Sequence, residues 1–262
     1  ALNESGEEAY VTCQGVVPHL RTPVLDEAIM GRHHISGKKP IVVYPEIVSG
    51  DPFAMGGVVV RWLLNQPGHI GGDTSFPESD LIFAYNPGYL PQGMQGRILH
   101  IPTCDLSIFN NIDNPDDARR DLTCYYAHKY LANGGELTEH VRDAVSLGKE
   151  VKLSHPEIAG ILRRARLLYV YEPSALITEA LLCGCPVAII ETDYWRRNQP
   201  GFSCPADSGM TVDLSPEAIA RAGEQARNYR SRYEDYFLRE AWIQLDRFIN
   251  YTQRIAKERM QK

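Results

Sequence analysis

Two glutamates, Glu172 and Glu179, stand seven positions apart in "EPSALITEALLCGCPV", residues 172 to 187, ahead of a Gly–Cys–Pro–Val turn. A helix buried in a core requires neither carboxylate, so their use depends on what flanks them. Glu172 ends the apolar run "LLYVY", and Glu179 lies inside the helix that Pro173–Ser174–Ala175 opens. The first turn of a helix leaves backbone N–H groups without partners and carries the positive end of the helix dipole, so it suits an anion. Small residues there let the anion approach closely. A carboxylate within that helix can accept hydrogen bonds from hydroxyl groups. Gly184–Cys185–Pro186–Val187 then returns the chain to a sheet.

The elements that must hold these groups are legible as alternating short apolar runs and helical patterns, the mark of parallel βαβ units. Strands are expected at 8–13, 40–44, 80–85, 98–101, 123–127, 167–171 and 186–190. "DPFAMGGVVVRWLLN" and "ELTEHVRDAVSLG" carry apolar residues at helical spacing. "HPEIAGILRRA" opens with His–Pro, and proline fits a first helical turn because its missing N–H has no partner there. A polar tail from Ser215 onward reads as two or more helices. The acidic, proline-broken stretch "NNIDNPDDARRD", residues 110 to 121, is the expected linker. The expected division is therefore 1–109, 110–214 and 215–262, the last being helices that pack back toward the first lobe. Two α/β lobes with parallel sheets would enclose a cleft at their strand ends. "ALNESGEEAYVTC" reads as a helix end, a turn and a strand, as if an opening strand and half a helix belonged upstream, in a larger polypeptide.

Composition narrows the chemistry. With 262 residues and 44 % apolar content, the chain can bury one large core or two smaller ones. A formal charge of -6 argues against a nucleic-acid partner, which needs clustered lysine and arginine. The six cysteines include no Cys-x-x-Cys pair, so neither zinc spacing nor a dense disulfide scaffold is present, and free thiols in a cytoplasm are the plain reading. No run approaches the roughly 18 to 20 apolar residues of a membrane span, and no signal peptide is read at the start.

Four segments in order resemble the second domain of retaining GT-B glycosyltransferases. "ILHIPTCDLSIF" is similar to the family's Ile–Pro–Asn–Gly–Val–Asp–x–x–x–Phe entry through Ile101, Pro102, Asp105 and Phe109, with Thr103–Cys104 in place of Asn–Gly. "CYYAHKY" resembles the strand ending in Gly–Arg, with His128–Lys129 at that place. "HPEIAGILRRARLLYVYEPSALITEALLCGCPVAII" resembles the helix, strand, paired-glutamate and Gly-x-Pro-Val stretch of the donor site, with six residues between the glutamates where the family has seven. "GMTVDLSPEAIA" looks like the closing segment. The likeness runs from about residue 98 to 220.

What the resemblance implies is transfer of a sugar from a nucleotide sugar to a glycan or lipid-linked acceptor, without metal or other cofactor, by a GT-B enzyme with two Rossmann-like lobes. The diphosphate would face Pro173, Ser174 and Ala175; Glu179 would bind the ribose hydroxyls; Glu172 would face the sugar. Lys129, beside His128, would neutralise the leaving diphosphate as a fixed cation. The first half would then carry the acceptor side. Glu46 and Asp51 follow one strand and are candidates for acceptor contact or proton removal, and Tyr85–Asn86 ends another. Expected surroundings are the cytoplasm or the inner face of a membrane, with peripheral association. The rival is a catalytically weak nucleotide-sugar or glycan-binding module of a larger glycan-assembly protein. A dinucleotide-dependent dehydrogenase lacks its Gly-x-Gly-x-x-Gly.

Plainer uses exist for most of these groups. Cys183 and Cys185 fit a core as small hydrophobes. The run Arg32–His33–His34 reads as a solvated loop, and Trp62, Trp195 and Trp242 as core or contact anchors. Asp116–Asp117 has no apolar strand leading into it and is not a metal-binding Asp-x-Asp.

Overall fold

A computed structural model describes residues 1–13, 22–112, 120–199 and 202–261. The chain divides into two compact units, Ala1–Pro102 with Arg239–Lys262, and Thr103–Leu238. The passage between them falls at Pro102, whereas the linker was expected at 110–121; residues 113–119 of that stretch, with Asp116–Asp117, lie outside the described residues.

In the first unit α1 (Glu27–Ile35) precedes β1 (Ile41–Pro45), β2 (Val58–Leu63), β3 (Leu81–Ala84) and β4 (Arg97–Ile98). The four strands are parallel and lie in sequence order, with Ile41 opposite Val58 and Val60 opposite Leu81. β2 corrects an expectation. "DPFAMGGVVVRWLLN" is not a helix: its three consecutive valines are β-branched and its Gly56–Gly57 pair breaks helical continuity, so the segment enters the sheet as an internal strand. Val58, Val60, Arg61 and Leu63 are all at most 1 % exposed. Gly57 is required by contact, because a Cβ there would lie 1.8 Å from the Pro40 carbonyl oxygen. The strand expected at 8–13 is also absent; a single bridge joins Val11 to Val24. His33 and His34 form the last turn of α1 rather than a loop, and His33 Nε2 meets Glu8 at 2.9 Å.

The second unit runs β5 (Leu122–Tyr126), α2 (His128–Ala132), β6 (Val145–Ser146), α3 (His155–Arg164), β7 (Ala165–Val170), α4 (Leu176–Leu182), β8 (Val187–Ile189), α5 (Asp193–Asn198) and β9 (Met210–Thr211). It ends in α6 (Pro216–Arg227), α7 (Tyr229–Arg232) and a π turn, Tyr233–Leu238. Its sheet is parallel in the order β6-β5-β7-β8-β9. The helix expected in "ELTEHVRDAVSLG" is replaced by one 3₁₀ turn, Glu139–Val141, and by β6, because Val141 is drawn under the sheet face of Leu167 and Tyr169. β7 explains why its run is continuously apolar: Leu168 and Val170 enter one core while Leu167 and Tyr169 enter a second on the opposite face. α3 begins at His155, and Glu157 reaches back to the Ser154 N–H at 2.8 Å, a reciprocal cap.

Beyond the π turn the chain re-enters the first unit as α8 (Arg239–Met260). Ala241, Leu245, Phe248 and Thr252 recur at helical spacing on its buried face, and Phe248 meets Phe83 edge-to-face at 4.9 Å. The helices after residue 215 therefore divide. α6 stays in the second unit through Ala218, Ala222 and Ala226, where small side chains let Gly209 pack against its backbone. Only α8 serves the first core. Among the described residues no helix is long and apolar enough to cross a membrane.

Candidate functional site

The strand order of the second unit reverses between β5 and β7: the chain leaves β5 toward β6 on one side and β7 toward β8 on the other. Open parallel sheets bind ligands at the carboxyl ends of strands at such a reversal, because the connecting segments diverge and leave a crevice. Tyr126 ends β5 there and Ala127, His128 and Lys129 follow it, while Tyr171, Glu172, Pro173 and Ser174 follow β7. Both expected stretches thus end at neighbouring strands.

Glu172 is 1 % exposed. Its Oε2 accepts the Tyr130 N–H at 2.7 Å and so caps α2, while Oε1 is buried with no hydrogen-bond partner among the described residues. Tyrosines surround it. Tyr130 stacks on Tyr171 at 5.2 Å, and Tyr194 meets Tyr130 edge-on at 6.1 Å. Burial first and the Glu172 charge second push the phenols of Tyr126 and Tyr194 up, while the Ser174 hydroxyl partly offsets the effect on Tyr126.

Glu179 occupies the first turn of α4, half-buried. Burial raises its pKa above the ordinary carboxylate value, and His155, the first residue of α3, partly counters that. Cys104 lies near this carboxylate; burial, then the Glu179 charge, push its thiol up to about 12. At the opening of α4 the Leu176 N–H is spent on the Ser174 hydroxyl at 3.2 Å, so the turn supplies part of its own cap. Pro173 and Ser174 are half-buried and Ala175 is exposed.

Lys129 is exposed as the second residue of α2, and among the described residues it has no ion pair. His128 Nδ1 lies 3.9 Å from Glu150 Oε2. Glu150 also accepts the Ser146 hydroxyl at 2.5 Å, which holds its carboxyl below the usual range, and its carboxylate lies over Gly148, whose Cβ position would be 2.1 Å away. Tyr126, Glu150, His155 and Tyr194 were not singled out from the sequence as site residues. Glu150 stood beside a supposed helix, and the others carry no local spacing signal.

The remaining candidates belong to the first unit and are engaged in its own loops. Glu46 is 3 % exposed and accepts the Leu64 N–H at 2.8 Å. Asp51 accepts the Tyr44 hydroxyl at 2.6 Å and the Ala54 N–H at 3.2 Å. The Tyr85 ring lies 4.2 Å from that of His100, and Asn86 caps the next turn through the Gly88 N–H at 2.8 Å. A buried pair that sequence reasoning missed organises the same loops: Arg61 donates to Asp80 at 2.8 Å and to the carbonyls of Val48 and Gly50. Among the described residues no three His, Cys, Asp or Glu side chains gather as a metal centre.

No protein-family model matches the chain, and no curated protein matches it by sequence. What the geometry offers is a polar rim at a strand-order reversal, comprising an exposed cation, a half-buried carboxylate and a buried carboxylate oxygen without a donor.

Proposed function

We propose that the chain is a GT-B-type glycosyltransferase whose second unit binds a nucleotide sugar and whose first unit carries the acceptor side. One observation carries this reading: the chemistry-bearing side chains of the second unit sit at the ends of β5 and β7, where a doubly wound parallel sheet receives nucleotide-bearing ligands. In this reading Glu179 accepts the ribose hydroxyls, which remain neutral through the reaction. Lys129 neutralises the diphosphate as it leaves, and a fixed cation there favours the transition state over the ground state. The donor-free Oε1 of Glu172 accepts a sugar hydroxyl. The test is calorimetry with a panel of nucleoside diphosphates, followed by transfer or hydrolysis of the matching nucleotide sugar. Failure of every nucleoside diphosphate to bind would remove the reading.

A second reading, a binding module without turnover, is favoured by one fact. Glu46 and Glu172, the two carboxylates nearest to proton-transfer roles, are both buried and both accept backbone N–H groups. Each therefore has one oxygen committed to holding the backbone in place. Tight nucleotide-sugar binding with neither transfer nor hydrolysis over a range of acceptors would select it.

A further inference from the structure

In the first unit a depression of about 700 Å³ lies between α8 and the β3–β4 edge of the sheet. That volume falls within the range of small-ligand pockets. Its apolar part is Ile98 and the ring of Tyr251, over the buried Phe83. Its rim is cationic: Arg97 comes from the edge strand β4, and Arg247 and Arg254 come from α8. Arg247, Tyr251 and Arg254 follow at four and then three positions, so they share one face of that helix.

Two of the arginines, Arg97 and Arg254, lie at one ring. The Arg97 guanidinium carbon lies 3.5 Å from the Tyr251 centroid, and that of Arg254 lies 5.3 Å from it. The negative face of an aromatic ring attracts a guanidinium within about 6 Å of its centroid. Carboxylates do little here. Glu258 meets Arg254 at 3.5 Å with both side chains more than half exposed, and such a pair is weak and readily exchanged. Asp246 adjoins Arg247 in sequence, but adjacent helical residues point apart. Among the described residues neither Arg97 nor Arg247 has a carboxylate within ion-pair distance, although the chain as a whole carries a formal charge of -6. Gln244 uses its carbonyl oxygen on the His100 N–H at 2.7 Å, which leaves its amide N–H groups for a ligand.

We infer that this depression binds a phosphate monoester with an apolar body, the phosphate held by Arg97, Arg247 and Arg254 and the body laid on Ile98 and the edge of the Tyr251 ring. A phosphate monoester brings close to two negative charges and three acceptor oxygens, which guanidinium forks meet in pairs. Three cations around an apolar floor exceed what a single carboxylate would neutralise. The same chemistry is presented by a soluble ester and by a phosphatidic acid headgroup. None of the lining residues is among the donor-side or acceptor-side candidates, so the site stands apart from the proposed transfer reaction.

The experiment uses the full chain and phenyl phosphate, titrated by calorimetry at low salt. Binding is expected for phenyl phosphate and not for phenol. Arg247→Ala and Arg254→Ala should each weaken it at least tenfold, and both side chains are exposed, so their loss leaves the fold intact; thermal melts check this. A second arm measures sedimentation with phosphatidylcholine vesicles containing or lacking phosphatidic acid. Binding of the free ester, lost in the arginine variants, supports a soluble ligand; binding to phosphatidic acid vesicles alone, with the same losses, supports the headgroup. Absence of both, persistence in the Arg247→Ala/Arg254→Ala double variant, or loss of ester binding on Lys129→Ala in the other unit would overturn the proposal.

Discussion

At the level of one residue, the half-buried carboxyl of Glu179 has a consequence for stability. Burial raises its pKa above the ordinary 4.5. A carboxyl that holds its proton more tightly when folded loses stability as pH rises from that ordinary value through the raised one, and the deficit persists at neutral pH. Glu179→Gln should therefore raise the melting temperature at pH 7 and leave it unchanged below about pH 4, where the carboxyl is protonated in both states. If Glu179 holds a ribose, Glu179→Ala should weaken nucleoside diphosphate binding by about 1.5 to 3 kcal/mol, measured by calorimetry. Glu172 has a different cost. Glu172→Ala strips the Tyr130 N–H of its acceptor and should destabilise by about 1 to 3 kcal/mol in urea titration, whereas Glu172→Gln keeps one amide oxygen that can face the Tyr130 N–H and should cost less. On the transferase reading Lys129→Ala lowers turnover about a hundredfold, with donor affinity changed far less; a loss in affinity alone would make Lys129 a binding residue only.

At the scale of elements the decisive contacts are buried guanidinium groups. Arg61, 1 % exposed in β2, holds the loops after β1 and before β3 through Asp80, Val48 and Gly50. Removing one partner leaves the other charge buried and unpaired, so Arg61→Met should destabilise the protein by about 3 to 5 kcal/mol in urea titration. Joint replacement of Arg61 and Asp80 should cost less than the sum of the single changes. Arg120 does comparable work in the second unit by donating to the carbonyls of Ala165 and Cys183, at the ends of α3 and α4. Cations suit helix carboxyl ends, where carbonyls lack partners.

For the whole molecule the consequential fact is that the first unit is made from both ends of the chain. Its core includes Leu245 and Phe248 of α8, together with Val58, Val60 and Phe83. A chain ending at residue 238 should keep the second unit, whose cores are built from its own residues, and lose cooperative unfolding of the first. Hydrogen exchange checks this: protection should persist across β7 and β8 and vanish across β2 and β3. Retained protection at β2 would show that α8 is dispensable to that core.

Elements whose pattern is local were legible without tertiary structure. The run 167–171 matches β7, the His–Pro start matches α3, and the segment before Cys183 matches α4, because alternation, capping and helical spacing are properties of neighbouring residues. β2 was not legible, since "GGVVVRWLL" fits a buried strand or a helix until the two-sided burial of Val58 to Leu63 selects the strand. The candidate site divides the same way. Glu172 and Glu179 could be picked from a strand end and a helix start, and Lys129 from the family resemblance. That Glu172 is sealed against the Tyr130 N–H, that His155 lies near Glu179, and that Arg61 pairs with Asp80 depend on contacts between residues far apart in the chain. Sequence determined which short segments would be strands and helices and where carboxylates stand on them. Only the tertiary structure decided which of those carboxylates are buried and bonded, because desolvation and hydrogen-bond partners are set by how the elements pack.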